Sequence, residues 1–235
     1  MTSPNFCFPV RELENDAVKL TPFDPTKHAG PYFHGSVNHP ELYQYMSIGP
    51  FASEEEFISR FINDFVNQQS SVQCFAVIDK RKPASVADPD GEVAGMVSYM
   101  SASAVHLSAE VGYIIILPPY QRTHVTTHAV GLLLHYAMDS PEQGGLGLRR
   151  MQWLADPPNK ASLAAAQRMG FQQEGILRWN RVVPDAEARG KVHNGRNGPV
   201  YGEQQDRGRD TVYLSLCWDD WTEGKREVVD ALMSR

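Results

Sequence analysis

The run Tyr113-Ile114-Ile115-Ile116-Leu117 constrains this chain more than any other segment, because Pro118-Pro119 stops it and the hydroxyl-rich turn Gln121-Arg122-Thr123-His124-Val125-Thr126-Thr127 follows directly. A β-branched apolar run of this kind reads as a buried strand, and a proline pair cannot continue its ladder. From Thr123 the residues Val125, Ala129, Leu132, Leu133 and Tyr136 recur at helical spacing to about Met138, so the turn opens a helix. Strand, tight polar turn and helix together aim several backbone N–H groups at one point, where the helix dipole favours an anion such as a pyrophosphate. A second unit follows: Arg150–Ala155 as a strand, Asn159–Met169 as a helix ending at Gly170-Phe171, and a strand from Phe171 to Arg178. Strand–helix–strand alternation implies locally parallel pairing and an α/β core.

Around these units the remaining elements are simpler. Residues 1–16 have no period and read as an extended arm, followed by a short strand at Val18–Thr21. Residues 24–45 are rich in His, Pro and Gly, with a short helix over Pro40–Tyr45. Ser53-Glu54-Glu55-Glu56 is a capping box that starts a helix, and Phe57, Phe61 and Phe65 with Ile58 and Ile62 give it one apolar face to about Asn67. Cys74–Ile78 and Val93–Ser101 form an antiparallel pair around the exposed loop Lys80–Gly91, and Glu110–Ile116 is the next strand. Residues 183–209 are polar, rich in Gly, Asp and Arg, and read as a mobile insertion before the last strand, Thr211–Trp218.

Composition bounds the partners. A chain of 235 residues with 42% hydrophobic content can bury one core with insertions, here residues 17–235, and its formal charge of −6 gives no reason to expect nucleic acid or an anionic membrane. Cys7, Cys74 and Cys217 are too few and too scattered for a disulfide framework or a zinc site. His124 and His128 have the spacing of a helical metal pair but lack a third ligand, so no metal is expected. No apolar run reaches the roughly 18 residues of a membrane span and no secretory signal is visible, which points to a cytoplasmic protein, monomer or homodimer.

The strand, the Gln121–Thr127 turn and the Asn159-Lys160-Ala161-Ser162 to Gly170-Phe171 unit together resemble the acetyl-CoA-binding core of the GNAT N-acetyltransferases, most closely the RimJ/RimL-like branch. The resemblance runs from about Val18 to Trp221 and includes Arg209–Leu216 and Asp220-Trp221 at its end. It implies a GNAT fold: a mixed central sheet of about six to seven strands flanked by helices and splayed between the fourth and fifth. The family turn is Gln/Arg-x-x-Gly-x-Gly/Ala; Gln121 keeps the first position, whereas His124 and Thr126 replace both glycines. The implied cofactor-binding set is Ile114, Ile116, Gln121, Arg122, Thr123, His124, Val125, Thr126, Asn159 and Ser162, with acetyl-CoA as cosubstrate. Ile114 would meet the thioester oxygen and Ile116 the pantetheine.

The implied reaction is transfer of acetyl to a primary amine, on a small molecule or a protein N-terminus, by direct attack in a ternary complex. Such a reaction needs a donor for the developing oxyanion, a route for the amine proton and a donor for the thiolate. Many GNAT enzymes place a tyrosine seven residues after the asparagine as that last donor; here the position is Ala166, and Ser162, on the same helical face as Asn159, takes the role its equivalent is thought to have in the RimJ/RimL-like branch. Glu110 is the candidate base, on the face of Gly112 and Ile114 if the strand has no bulge, with a solvated strand-end charge as its structural alternative. The lost glycines and tyrosine also fit a second reading, a CoA-binding or protein-interaction module with little turnover.

Overall fold

In the computed structural model, which describes residues 5–201 and 204–235, nine strands join one mixed sheet. They are β1 (Leu13–Glu14), β2 (Val18–Pro22), β3 (Gln73–Asp79), β4 (Glu92–Ser103), β5 (Ser108–Ile116), β6 (Arg150–Ala155), β7 (Gln172–Val183), β8 (Asn197–Tyr201) and β9 (Gln204–Cys217). The order is β1-β2-β3-β4-β5-β6-β9-β7, with β8 on β9, and only β5 and β6 run parallel. The sheet exceeds the six to seven strands expected because two polar segments join it. Leu13 and Glu14 pair with Leu20 and Lys19, and Phe6 stacks on Tyr99 with centroids 6.2 Å apart, so the described part of the arm is pinned at both ends.

The second addition falls in the segment expected to be mobile. β7 continues to Val183 opposite Arg207, and β8 pairs Asn197 with the same Arg207. What holds this ribbon is local charge and one aromatic, not an apolar stripe. Arg196 bonds Asp210 at 2.6 and 2.7 Å, Arg207 bonds Glu187 at 2.6 Å, and Trp179 lies against Gly208, where a Cβ would sit 2.4 Å from the indole.

Helices flank the sheet: α1 (Gly30–Ser36), α2 (Glu54–Glu56), α3 (Val125–Met138), α4 (Lys160–Arg168), α5 (Trp218–Asp220) and α6 (Arg226–Met233). The expected helix over 53–67 starts as predicted, with Ser53 Oγ accepting from the Glu56 amide at 3.1 Å, but Glu56 bonds the Ala52 amide instead of that of Ser53. Past α2 the turns widen to i→i+5 over Phe57–Val66, ending with the Asn67 amide on Ile62 O at 2.8 Å. Phe57, Phe61 and Phe65 stay stacked in steps of 5.8 Å, and the last two meet Tyr113 edge-on at 5.1 and 5.6 Å. α3 is buried nearly all round because α6 closes its outer side, Met233 lying where a Cβ on Gly131 would be. Among the described residues no helix is long and apolar enough to cross a membrane.

Residues 184–196 fold back onto the loop 40–48. Buried Lys191 donates to Tyr43 O at 2.8 Å and to Ile48 O at 2.6 Å, the Val192 amide bonds Gln44 O, and Arg189 reaches Ser47 O. Burial pushes the Lys191 ammonium down to about 8, so the charge is held at a cost that only its carbonyl bonds offset. Lys191→Met keeps the stem and leaves two carbonyls unpaired, so it should lower stability by about 1–3 kcal/mol in denaturant unfolding. A variant of unchanged midpoint would mean the clasp contributes nothing.

Candidate active site

The cleft begins where β5 and β6 part. They pair only at Ser108, Ala109 and Glu110, opposite Arg150, Met151 and Gln152, so from Gly112 to Ile116 the β6 edge of β5 has no strand partner. On the other edge the register with β4 slips by one residue between Met96–Ile115 and Ser98–Gly112. The extra residue lies at Tyr113, whose φ is +45°, and it bends the strand away from β6. The same bulge breaks the period of two that would have put Glu110 and Ile114 on one face. The two strands stay close at Gly95, where any Cβ would sit 2.2 Å from Ile115 O. The result is a cavity of about 800 Å³ lined by both parted strands, the polar turn, α4 and the 41–47 wall.

Of the sequence-predicted residues, Glu110, Ile114, Ile116, Gln121, Arg122, Thr123, Thr126, Asn159 and Ser162 all line this cavity. Gln121 Nε2 donates to Ile116 O at 2.9 Å, tying the turn to the strand end. Thr123 Oγ1 donates to Tyr120 O at 2.6 Å and accepts from the Val125 amide at 3.3 Å. Arg122 takes φ +59°, which turns the chain without the family's glycines. No side chain caps α3 from His124, and the amides of Thr126 and Thr127 have no acceptor among the described residues, which leaves donors facing the cavity at a helix N-terminus. Two residues lie elsewhere. Val125 buries its side chain in the core, and His124 turns its ring away to Asp79 (3.1 Å) and a second cavity of about 380 Å³ with Arg81 and His128. Arg122, Thr123, Thr127 and Arg168 line both cavities, and the two arginines give this end positive charge.

On α4, Asn159 is the N-cap, its Oδ1 accepting from the Ser162 amide at 3.1 Å. The Ser162 hydroxyl is not used for capping: it accepts from Trp153 Nε1 at 2.9 Å, so its own proton is free to point into the cleft. Trp153 is held by Phe171 at 5.5 Å. Ala166 is fully buried and offers nothing to the site.

Glu110 is nearly buried, takes a 3.2 Å bond from Ser101 Oγ, and is pushed up by burial, with Arg181 and Arg209 opposing the shift. The sequence reading missed a second carboxylate. Asp156, just past β6, lines the cavity at 2% exposure, and its Oδ2 has no hydrogen-bond partner. Burial pushes it up to about 6, against the pull of Arg209, whose Nε lies 3.8 Å away. It sits in Ala155-Asp156-Pro157-Pro158-Asn159, three residues before the helix cap, where an acid reads as a turn residue. Arg181, Arg209 and Tyr113, its hydroxyl 3.0 Å from Ser47 Oγ, also line the cavity.

The family model described as "Acetyltransferase (GNAT) domain" matches residues 18–172. The chain belongs to the GNAT acetyltransferase family. It is 27% identical over 161 residues to the spermidine N(1)-acetyltransferase of Escherichia coli (strain K12), covering 68% of this chain and 76% of the relative. A probable GNAT acetyltransferase from Chromobacterium violaceum superposes with TM-score 0.72 at 28% identity, over 92% of this chain and 90% of the other. The Vibrio cholerae spermidine N-acetyltransferase, solved with CoA and spermine, shares the fold at TM-score 0.56 and 17% identity, covering 88% of this chain and 99% of that one. Acetyl-CoA is therefore the acyl donor of this GNAT enzyme, and the fold expected from the sequence is the one found. The relatives named here are spermidine acetyltransferases or GNAT proteins without a named acceptor, not RimJ or RimL.

The free amides at the start of α3 fit the negative phosphates of a GNAT cosubstrate. Thr126→Glu puts a like charge at this point while suiting a helix N-terminus, so acetyl-CoA affinity should fall about tenfold or more by calorimetry with the melting temperature of the free protein unchanged. Unaltered affinity would place the phosphates elsewhere.

Proposed function

We propose that this enzyme acetylates a primary amine by direct attack on acetyl-CoA in a ternary complex, with Asp156 and Glu110 receiving the amine and Ser162 the leaving sulfur. The observation that carries the reading is Asp156, a buried carboxylate whose Oδ2 has no hydrogen-bond partner and only Arg209 Nε at 3.8 Å, among the residues that line the same cavity as Ser162 and the parted edge of β5. A carboxylate held near pH 6 is well matched to take a proton from an ammonium group at neutral pH.

Acetyl-CoA supplies the acetyl group. Asp156 takes one proton from the ammonium, and the freed lone pair forms the N–C bond as the C–S bond breaks. The backbone at Ile114, without a partner on the β6 side, is the candidate donor for the carbonyl oxygen. Ser162 donates its proton toward the departing thiolate, the Trp153 bond fixing which way that proton points. The second nitrogen proton ends on the thiolate, giving the amide, CoA thiol and one released proton. Glu110, engaged by Ser101, adds negative charge that holds the ammonium. Sequence resemblance makes a protein N-terminus one acceptor class, and the name of the E. coli relative makes a polyamine another. Action in the cytoplasm, as monomer or homodimer, completes the reading.

Two variants separate these roles. Ser162→Ala removes one charge-assisted donor and should cost about 1–3 kcal/mol in the transition state, roughly ten- to hundredfold in kcat, with acetyl-CoA binding intact. Because Asp156 must be ionised to act, kcat/KM should fall as pH drops through about 6, and Asp156→Asn should abolish that limb, whereas Glu110→Gln should keep it. A limb that survives in Asp156→Asn and vanishes in Glu110→Gln would transfer the base to Glu110.

A further inference from the structure

Building on the amine reading above, we propose that the acceptor is a free α-amino acid, its carboxylate gripped by Arg181 and Arg209 and its ammonium group facing Asp156. Arg181 on β7 and Arg209 on β9 stand directly opposite each other in the ladder, a placement that like charges disfavour unless an anion joins them. Other arginines of the same ribbon are neutralised at hydrogen-bond distance, Arg196 by Asp210 and Arg207 by Glu187. The Arg181 side chain has no hydrogen bond or ion pair among the described residues, and that of Arg209 has only its 3.8 Å approach to Asp156. Both line the cavity.

A second observation points the same way. Asp156 Oδ2 and Arg209 Nε are buried 3.8 Å apart, too far for a hydrogen bond, and neither has another partner, so an acceptor and a donor stand side by side in a cavity wall with bonding capacity left over. An α-amino acid presents the mirror image, an ammonium and a carboxylate carried on one carbon. Its carboxylate has the fork geometry that guanidinium donors match. The pair also lies at the acceptor end. The charges of Arg181 and Arg209 act on Glu110 and Tyr113, whereas the anion-binding amides belong to the turn at Thr126 and Thr127. A polyamine would set a second cation against the two arginines, and a peptide N-terminus has no carboxylate at that distance. In the step itself the α-ammonium loses one proton to Asp156, its nitrogen bonds the acetyl carbon as the C–S bond breaks, its second proton passes to the departing thiolate, and the products are the N-acetyl amino acid, CoA thiol and the proton that Asp156 releases.

The test uses the full chain with acetyl-CoA, thiol release, and a panel of the common L-amino acids, their carboxamides and spermidine. At least one amino acid should be acetylated with kcat/KM about tenfold or more above its carboxamide and above spermidine, since the carboxamide removes the charge-assisted bonds. Arg181→Gln, at an exposed and unpartnered position, should raise KM for that amino acid about tenfold, chiefly in KM and not in kcat, and should erase the preference for acid over amide. A best substrate that is spermidine or a carboxamide overturns the proposal, as does an acid preference that Arg181→Gln leaves intact. Should nothing in the panel be acetylated although acetyl-CoA binds, the amine reading fails for these acceptors. Calorimetry of the same amino acids against CoA-loaded protein then decides the carboxylate site: binding that Arg181→Gln abolishes upholds it, and no binding refutes it.

Discussion

The site depends on β5 being unable to follow β6. Three parallel pairs hold the two strands at one end, and the residue inserted at Tyr113 rotates the rest of β5 out of register with β4 and away from β6. A sheet does not open in its middle without support, because unpaired edge groups cost free energy when buried. Support comes from both sides: Gly95 lets β4 stay against Ile115 O, and Phe61 and Phe65 press edge-on against the Tyr113 ring. The wide helical turns of Phe57–Val66 keep those rings stacked toward the bulge.

Once the wedge exists, the groups that line it come from different elements. The turn after β5 brings amides, α4 brings a hydroxyl oriented by an indole, the end of β6 brings a carboxylate, and the β7–β9 ribbon brings two guanidinium groups. None of these groups is adjacent in sequence to more than one other. Within the one lining, the Arg122 to Thr127 turn offers free amides and an arginine, whereas Glu110, Asp156, Arg181 and Arg209 bring charges of both signs.

Much of this was legible in the chain. The apolar strand stopped by Pro118-Pro119, the helix spacing from Val125, and the Asn159 to Gly170 unit declare themselves through local physics, so β5, α3, β6 and α4 were found nearly to the residue. Two things were hidden. The bulge has no signature in a run of isoleucines, since period and burial look the same on both sides of it. The last strand was read from Thr211, but the pairing of β8 and of β9 up to Asp210 was concealed because Arg–carboxylate pairs and one tryptophan hold the ribbon, and polar alternation of that kind reads as loop. Asp156 was missed for a related reason: only the parting of the strands gives a turn aspartate a buried, unsatisfied oxygen.

The clasp between Lys191 and the carbonyls of Tyr43 and Ile48 joins the wall at 41–47 to the ribbon that carries Arg181 and Arg209, and Ser47 of that wall meets the Tyr113 hydroxyl at 3.0 Å. The two arginines proposed to hold the acceptor thus sit on a ribbon fixed by this clasp, whereas the Gln121–Thr127 turn is fixed by Gln121 on Ile116 O. Under the roles proposed above, drift in the ribbon and its clasped wall would retune which amine is taken while the Gln121–Thr127 turn keeps its own tie to β5, so a lineage with this architecture could exchange acceptors without passing through a form that has lost its acyl donor.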